Sequence, residues 1–404
     1  MKWEKKVFSE LFLIPTKNGL YKSKEFHGTG TKIINMGEIF AYGVFNNYDT
    51  QRIEVTEQEK DNYNLLDGDL LFARRSLVES GAGKVSIIKK PKEDMVFESS
   101  IIRVRLNKRE CNPLFYYYWM KSLAGRTAIG AIVSGTNVKG IRSSELSQIE
   151  VDVPTLNVQD NIANILSHYD NLIENNQKQI KLLEEAAQRL YREWFVDLRF
   201  PGHEDVEIFD GLPVGWEEKR LDEIASVNTN YMTNDYNESF IDYIDLSSVS
   251  KGTITNVKRY SINDAPGRAK RIAKNGDIIW GMVRPNLRSY ALILNPEYTN
   301  VYSTGFAIIS SNKVPYSFLY CLVTRDEFVG YLINCTNGAA YPAVKPSHFE
   351  EAKIIVPENS VLNRFDKMVR PIFERISLLN KQCKFLQEAR DRLLPKLMRG
   401  EVEV

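Results

Sequence analysis

The sequence predicts an α+β protein in which two pseudo-symmetric globular α/β domains are separated by two long helices forming an antiparallel coiled coil. Three observations carry that expectation. The 404-residue chain repeats itself: residues 135–154 (GTNVKGIRSSELSQIEVDVP) align with 338–357 (GAAYPAVKPSHFEEAKIIVP) at an offset of 203, which continues without a gap as 177–190 onto 380–393. A helical heptad pattern follows each copy. The remaining stretches carry short apolar runs between Gly, Asn and Asp turns, the pattern of strands in a mixed domain. A chain of this length also exceeds what one compact core holds.

Residues 1–157 are expected to form the first domain. Runs at 31–34, 70–72, 85–88, 101–106 and 149–153 read as strands, and the aromatic block 115–120 as a helix. The first long helix is assigned to 158–199. Ile162, Leu166, Tyr169, Ile173, Asn176, Ile180, Leu183, Ala187, Leu190 and Trp194 fall at alternating spacings of four and three. A seam recurring every 3.5 residues specifies a coiled coil, and a polar Asn176 within it can fix the register.

After a Pro201-Gly202 break, residues 200–358 repeat the domain. Trp216-Glu217 answers Trp3-Glu4, and 274–280 (KNGDIIW) answers 67–72 (DGDLLF) at a shift of 208. The second long helix is assigned to 359–404, with Phe365, Val369, Ile372, Ile376, Leu379, Cys383, Leu386, Leu393 and Leu397 on its seam. Pro371 is expected to start or kink this helix, and Pro395 to loosen its last turn. Arg390 occupies an otherwise apolar seam position; it is expected to reach outward or to pair with an acidic residue on the partner helix, such as Glu184 or Glu185. One helix after each half favours antiparallel pairing within the chain, with parallel pairing between two chains as the rival.

Composition is that of a soluble globular protein, with 43% hydrophobic and 26% charged residues. No apolar run reaches membrane-spanning length and no secretory leader is recognisable, so a cytoplasmic location is expected. Cys111, Cys321, Cys335 and Cys383 are scattered and read as reduced, buried thiols. Net charge is only +1, but it is unevenly spread. Residues 200–250 hold twelve Asp/Glu against two Lys/Arg, 251–288 hold nine Lys/Arg against two Asp, and 74–92 hold six basic residues and one Glu. A basic block in each half suggests two anionic contact sites.

Catalytic motifs fare poorly. Phe26-His27-Gly28-Thr29-Gly30 fits the FxGxG of adenosylmethionine loops, yet the polar segment before it is no buried strand. Asn112-Pro113-Leu114-Phe115 approaches an NPPF motif but lacks its second proline. Asp69 and Asp277 each follow a glycine and read as turns feeding buried strands rather than as metal ligands. No His/Cys cluster has zinc spacing, so no metal site is expected. Binding signals are better. Arg74, Arg75, Lys84, Arg268, Lys270, Arg271, Arg284 and Arg288 suit phosphates or guanine edges. Asn137 and Lys139 sit in a glycine-bounded loop whose counterpart holds Asn337, Tyr341 and Lys345.

The helices carry a resemblance. Ile173-Glu174-Asn175-Asn176, the run Leu182-Leu183-Glu184-Glu185-Ala186-Ala187, Arg192-Glu193-Trp194-Phe195, and the C-terminal Arg390-Asp391-Arg392-Leu393-Leu394-Pro395-Lys396-Leu397 with Gly400-Glu401 resemble the specificity (S) subunits of type I restriction–modification systems. The resemblance implies that each globular half is a target-recognition domain reading part of a bipartite, asymmetric site in double-stranded DNA. It further implies that the helices set the spacer and dock two methyltransferase (M) subunits, and that restriction/translocase (R) subunits join for cleavage. Adenine-N6 methylation, with S-adenosylmethionine, ATP and Mg, would then belong to the partners, leaving no catalysis and no cofactor to this chain. The competing readings are a stand-alone DNA methyltransferase or nuclease, and a coiled-coil scaffold without a DNA role.

Overall fold

The structure, a computed structural model, describes residues 3–233, 236–336 and 342–404. It divides into two compact units, Met1–Ile173 with Phe385–Val404, and Glu174–Lys384. Among the described residues no helix is long and apolar enough to cross a membrane.

The two units follow one plan. The main sheet of the first runs in the order Phe12–Asn18, Ile101–Leu106, Leu70–Ala73, Val85–Ile88, with Val44–Phe45 added at the edge. That of the second runs Ala225–Val227, Phe306–Ser311, Ile278–Gly281, Tyr290–Leu292. A smaller sheet in each contains one parallel pair, His27–Ile34 with Met95–Phe97 and Phe240–Ile244 with Asn300–Ser303. A two-stranded ladder closes each unit, Glu4–Val7 with Glu150–Val153 and Glu217–Arg220 with Lys353–Val356. The strands read from apolar runs in the first half are all present.

The Gly-Asp turns are duplicated in atomic detail. Gly68 and Gly276 adopt φ of 89° and 88°, a region where a side chain is strained. Asp69 accepts the Leu66 amide at 2.8 Å and Asp277 the Lys274 amide at 2.7 Å. Asp67 and Asn275 each accept a further backbone amide, from Lys90 and Asn295. Each turn therefore ends in a carboxyl buried at the start of a central strand. The two carboxyls differ in what offsets their burial. Arg105 clamps Asp69 through two bonds of 2.7 Å. On the equivalent strand of the second unit no arginine answers Asp277, and burial pushes its carboxyl above the ordinary range.

The aromatic block forms the helix Pro113–Lys121, in which Phe115, Tyr116, Tyr117, Tyr118, Trp119 and Met120 are all buried. Its start is set by Asn112, whose side chain accepts the Leu114 amide at 2.8 Å, and by Pro113 at the first position. A second helix, Leu123–Ala131, follows after Ser122. Tyr316–Thr324 and Asp326–Asn334 repeat the pair at the same 203-residue offset. The duplication thus extends further back than the sequence match reveals.

The long helices are Leu156–Phe195 and Asn359–Met398. In the second unit, Trp194 meets Phe365 at 5.8 Å between ring centres while Asn176 hydrogen-bonds Cys383, so the segments run antiparallel. Ile180, Val369, Ile376 and Leu379 are buried there, with Leu183 and Leu190 half-buried. In the first unit, Ile162 and Leu166 share a core with Leu397 and, at its margin, Leu393; Tyr169 and Leu386 are half-buried and Ile173 buried.

Three expectations need correction or refinement. Pro371 does not begin the second helix, which starts at Asn359 and runs through both prolines. Val369 and Phe373 are buried on either side of Pro371, so packing offsets the lost backbone donor. Arg390 does meet an acidic residue of the facing helix, but that residue is Asp170 rather than the Glu184 or Glu185 offered as examples. Its guanidinium binds Asp170 on the facing helix and the neighbouring Asp391, and Asp170 also accepts the Tyr118 hydroxyl at 2.7 Å. The four cysteines are free, but Cys335 is only half-buried.

Two stability tests follow. Arg390→Met leaves Asp170 without its counter-ion, and with both side chains under one-fifth exposed the loss should be roughly 2–3 kcal/mol in a urea melt. Adding Asp170→Leu should recover part of it. Asp69→Asn should destabilise by about 2 kcal/mol, because the half-buried Arg105 loses its counter-ion and keeps only the Asn64 carbonyl. Asp277→Asn should cost little. As pH rises from the ordinary carboxylate pKa through the raised one of Asp277, ionisation costs the folded state, so the variant should gain on the native chain towards neutral pH. Melts at pH 4 and pH 7 that show no such crossover would refute this.

Candidate nucleic-acid interface

Residues far apart in sequence meet because two loops zip together at one end of each main sheet. In the first unit, the chain leaving Leu70–Ala73 forms a short antiparallel ladder in which Arg75 faces Gly140 and Ser76 faces Lys139. The Arg74 amide donates to Ser100 and its carbonyl accepts from Ile141, fixing both neighbours. Gly135 makes the tight loop possible. At φ 104° a Cβ there would lie 2.2 Å from the Val138 carbonyl oxygen. Arg75 and Asn137 are thereby exposed beside half-buried Arg74 and Lys139.

The second unit repeats the arrangement. The chain leaving Ile278–Gly281 bridges Val283 to Ala343, the Arg284 amide donates to Pro342, and the Val344 amide donates to Met282. The Met282 amide reaches Gly305, and Thr304 donates to the Arg268 carbonyl. Arg268, Arg284 and Lys345 are exposed around this junction, and Lys270 is exposed on the strand Ala269–Arg271. Asn337 and Tyr341 lie outside the described residues.

The remaining sequence candidates are placed differently. Lys84 donates to the Phe40 carbonyl at 2.8 Å and lies 5.2 Å from its ring centre; burial, with Lys121 adding to it, pushes its pKa down. Arg288 is ion-paired with Asp326. Arg271 is only 7% exposed, lies against Tyr231, and leaves Nε and Nη1 without a hydrogen-bond partner among the described residues. Burial lowers its pKa. Arg103 of the first unit, which sequence reasoning missed, is likewise buried with Nε unpartnered. In contrast, Arg75, Lys139, Arg268, Lys270 and Lys345 form no ion pair among the described residues. These unpaired surface cations can neutralise an external anion without first breaking an internal bond.

Both loops are clamped by the second short helix, again through residues that sequence reasoning did not connect. Arg126 on Leu123–Ala131 donates to the carbonyls of Ser80, Ala82 and Gly83 at 3.1–3.4 Å. In the second unit the direction is reversed: Arg288 on the loop reaches Asp326 at the helix start. Arg284 and Arg288 bracket Pro285–Leu287 with φ of 51° and 55°, a left-handed conformation that costs about 1 kcal/mol or more each and persists only where the surroundings hold it. No sequence pattern marks these clamps.

The catalytic motifs dissolve on inspection. Gly28 and Gly30 lie within the strand His27–Ile34, and Asn112 caps a helix. Among the described residues no group of three His, Cys, Asp or Glu could hold a metal ion. Arg126→Met should raise amide exchange of Ser80–Lys84 by roughly tenfold, and Arg288→Met that of Asn286–Leu287, since each frees a restrained turn. Unchanged exchange would deny the clamps their role.

Comparison with known proteins agrees with this picture. A family model described as the type I restriction modification DNA specificity domain matches residues 1–185 and 213–367. The MjaIX specificity subunit of a type I restriction enzyme from Methanocaldococcus jannaschii is 29% identical over 303 residues, 72% of this chain and 69% of that protein. The MjaVIII specificity subunit of the same organism is 21% identical over 365 residues, covering 87% and 81%. The crystal structure of the type I restriction–modification S subunit from M. genitalium shares the fold, with a TM-score of 0.61 at 20% identity over 98% of this chain and 96% of that one.

Proposed function

Because this chain belongs to the type I restriction–modification DNA specificity family, we propose that it is the non-catalytic component that reads a bipartite, asymmetric DNA site. Each unit contributes one reader, built on the paired loops with Arg74, Arg75, Asn137 and Lys139 in one unit, and with Arg284 and Lys345 in the other, beside which the adjoining strand places Arg268 and Lys270. The observation carrying this reading is the recurrence, at the same sheet end of both units, of cations that form no ion pair among the described residues: Arg75 and Lys139 in one, Arg268, Lys270 and Lys345 in the other. Phosphates are met by these cations, and base edges by the loop side chains between them. The long helices serve as the spacer and as the docking surface for two methyltransferase subunits, with restriction subunits joining the assembly in the cytoplasm. Adenosylmethionine, ATP and Mg belong to those partners.

Two linked readers gain affinity through effective concentration, so neither half-site contact has to be strong alone. Combining Arg75→Ala with Lys139→Ala, or Arg268→Ala with Lys270→Ala, should weaken binding of the assembled methyltransferase complex to all duplexes and lower the slope of log K against log salt by about 2. Removing one facing heptad from each long helix shortens the spacer by about 10 Å, so the preferred half-site separation should fall by roughly three base pairs. Methyl transfer to DNA by this chain without partners, or an unaltered salt slope in both double variants, would sink the proposal.

A further inference from the structure

The restrained loops each present a leucine to solvent. Leu77 is 84% exposed, with Val78 beside it at 59%, and Leu287 is 59% exposed. Isolated exposed leucines are common on protein surfaces and mean little alone. These two are distinguished by their support and their neighbours. Leu77 follows the Arg75–Ser76 ladder and precedes a turn in which the Val78 amide is held by the Ser76 hydroxyl and the Gly81 amide by the Val78 carbonyl. The Arg126 clamp holds the other side of that turn. Leu287 ends a single helical turn fixed between the two left-handed arginines.

We propose that Leu77 and Leu287 are specificity-determining contacts, each laid against the 5-methyl group of a thymine in the major groove. The inference rests on the DNA-reading function proposed above. Among base edges in that groove, only thymine offers an apolar surface, and an aliphatic side chain is its natural partner. The exposed Arg75 beside Leu77, and Arg284 beside Leu287, stand where the flanking phosphates would be met. The costs of ordering are already met in the free protein, because both loops are held before any ligand arrives. Leu77 and Leu287 occupy the same loop of the duplicated plan without being aligned residues, so the two readers have placed an apolar tip there by different local means.

The test is selection of bound duplexes from a random pool by the chain assembled with its methyltransferase partners. The native complex should enrich a two-part consensus. Leu77→Ala and Leu287→Ala should each lose the preference for thymine at one position, in different halves, while keeping the other half intact. Replacing that thymine by deoxyuridine should weaken native binding roughly fourfold, the effect of one buried methyl group, and leave the matching alanine variant unchanged. Leu77→Met and Leu287→Met should retain the preference. An unaltered consensus in both alanine variants overturns the inference, as does equal native affinity for thymine and deoxyuridine duplexes. Loss of the methyltransferase partner from the purified variants, with the consensus preserved, also overturns it by assigning the leucines to a protein contact. A native complex that enriches no consensus instead defeats the DNA-reading function itself.

Discussion

Each unit is organised around a short helix that has no face towards solvent. Pro113–Lys121 buries six consecutive large side chains, each contributing roughly 1.5–3 kcal/mol. A helix apolar all round must be enclosed by other elements, and its polar tips name them. The Tyr118 hydroxyl reaches Asp170 on a long helix, the Trp119 indole reaches Asp152 on the closing ladder at 3.1 Å, and the Asn112 side chain reaches Asp160 at 2.7 Å. Tyr316–Thr324 does the same with other chemistry. Ser317 bonds Asp366, Gln188 bonds Thr324, and the Trp280 indole of the sheet donates to the Val323 carbonyl. Within each unit this helix fixes the sheet, and so the loops at its end, against a segment of long helix.

Charge is partitioned by the same logic. The cations that maintain the fold are paired at close range, as in Arg105 with Asp69 and Arg390 with Asp170. On and beside the zipped loops, Arg75, Lys139, Arg268, Lys270 and Lys345 form no ion pair among the described residues. A net charge of +1 conceals this division, because acidic residues are consumed internally while the loops keep their positive charge. Arg271 and Arg103 fit neither class: they are buried, with donors that find no hydrogen-bond partner among the described residues.

Periodicity made the helices legible in the sequence itself. The strands beginning at Leu70 and Ile101 and the aromatic helix were legible because burial demanded apolar runs. The duplication was visible from residue 135 onward, where loop, strand and helix kept their length. It faded before that point because the shift between equivalent strands changes, from 208 at Leu70 and Ile278 to 205 at Ile101 and Phe306. Pairing information was largely absent. Sequence spacing placed Arg390 near Glu184, whereas the antiparallel register sets it against Asp170. Lys84 and Arg75 look alike in a basic block, and only the fold separates a lysine held by Phe40 from an arginine left in solvent. The clamps were invisible because an arginine bonding carbonyls leaves no pattern.

The reversed polarity of those clamps bears on how such a protein can change. In one half the guanidinium belongs to the supporting helix and its acceptors to the loop; in the other the guanidinium travels with the loop and the carboxylate stays behind. A loop transplanted from the second half into the first would set its own arginine against that of the brace, and the reverse exchange would leave Asp326 without its guanidinium. Loop and brace therefore form one heritable module, and variation that exchanges whole halves preserves what piecemeal exchange would break.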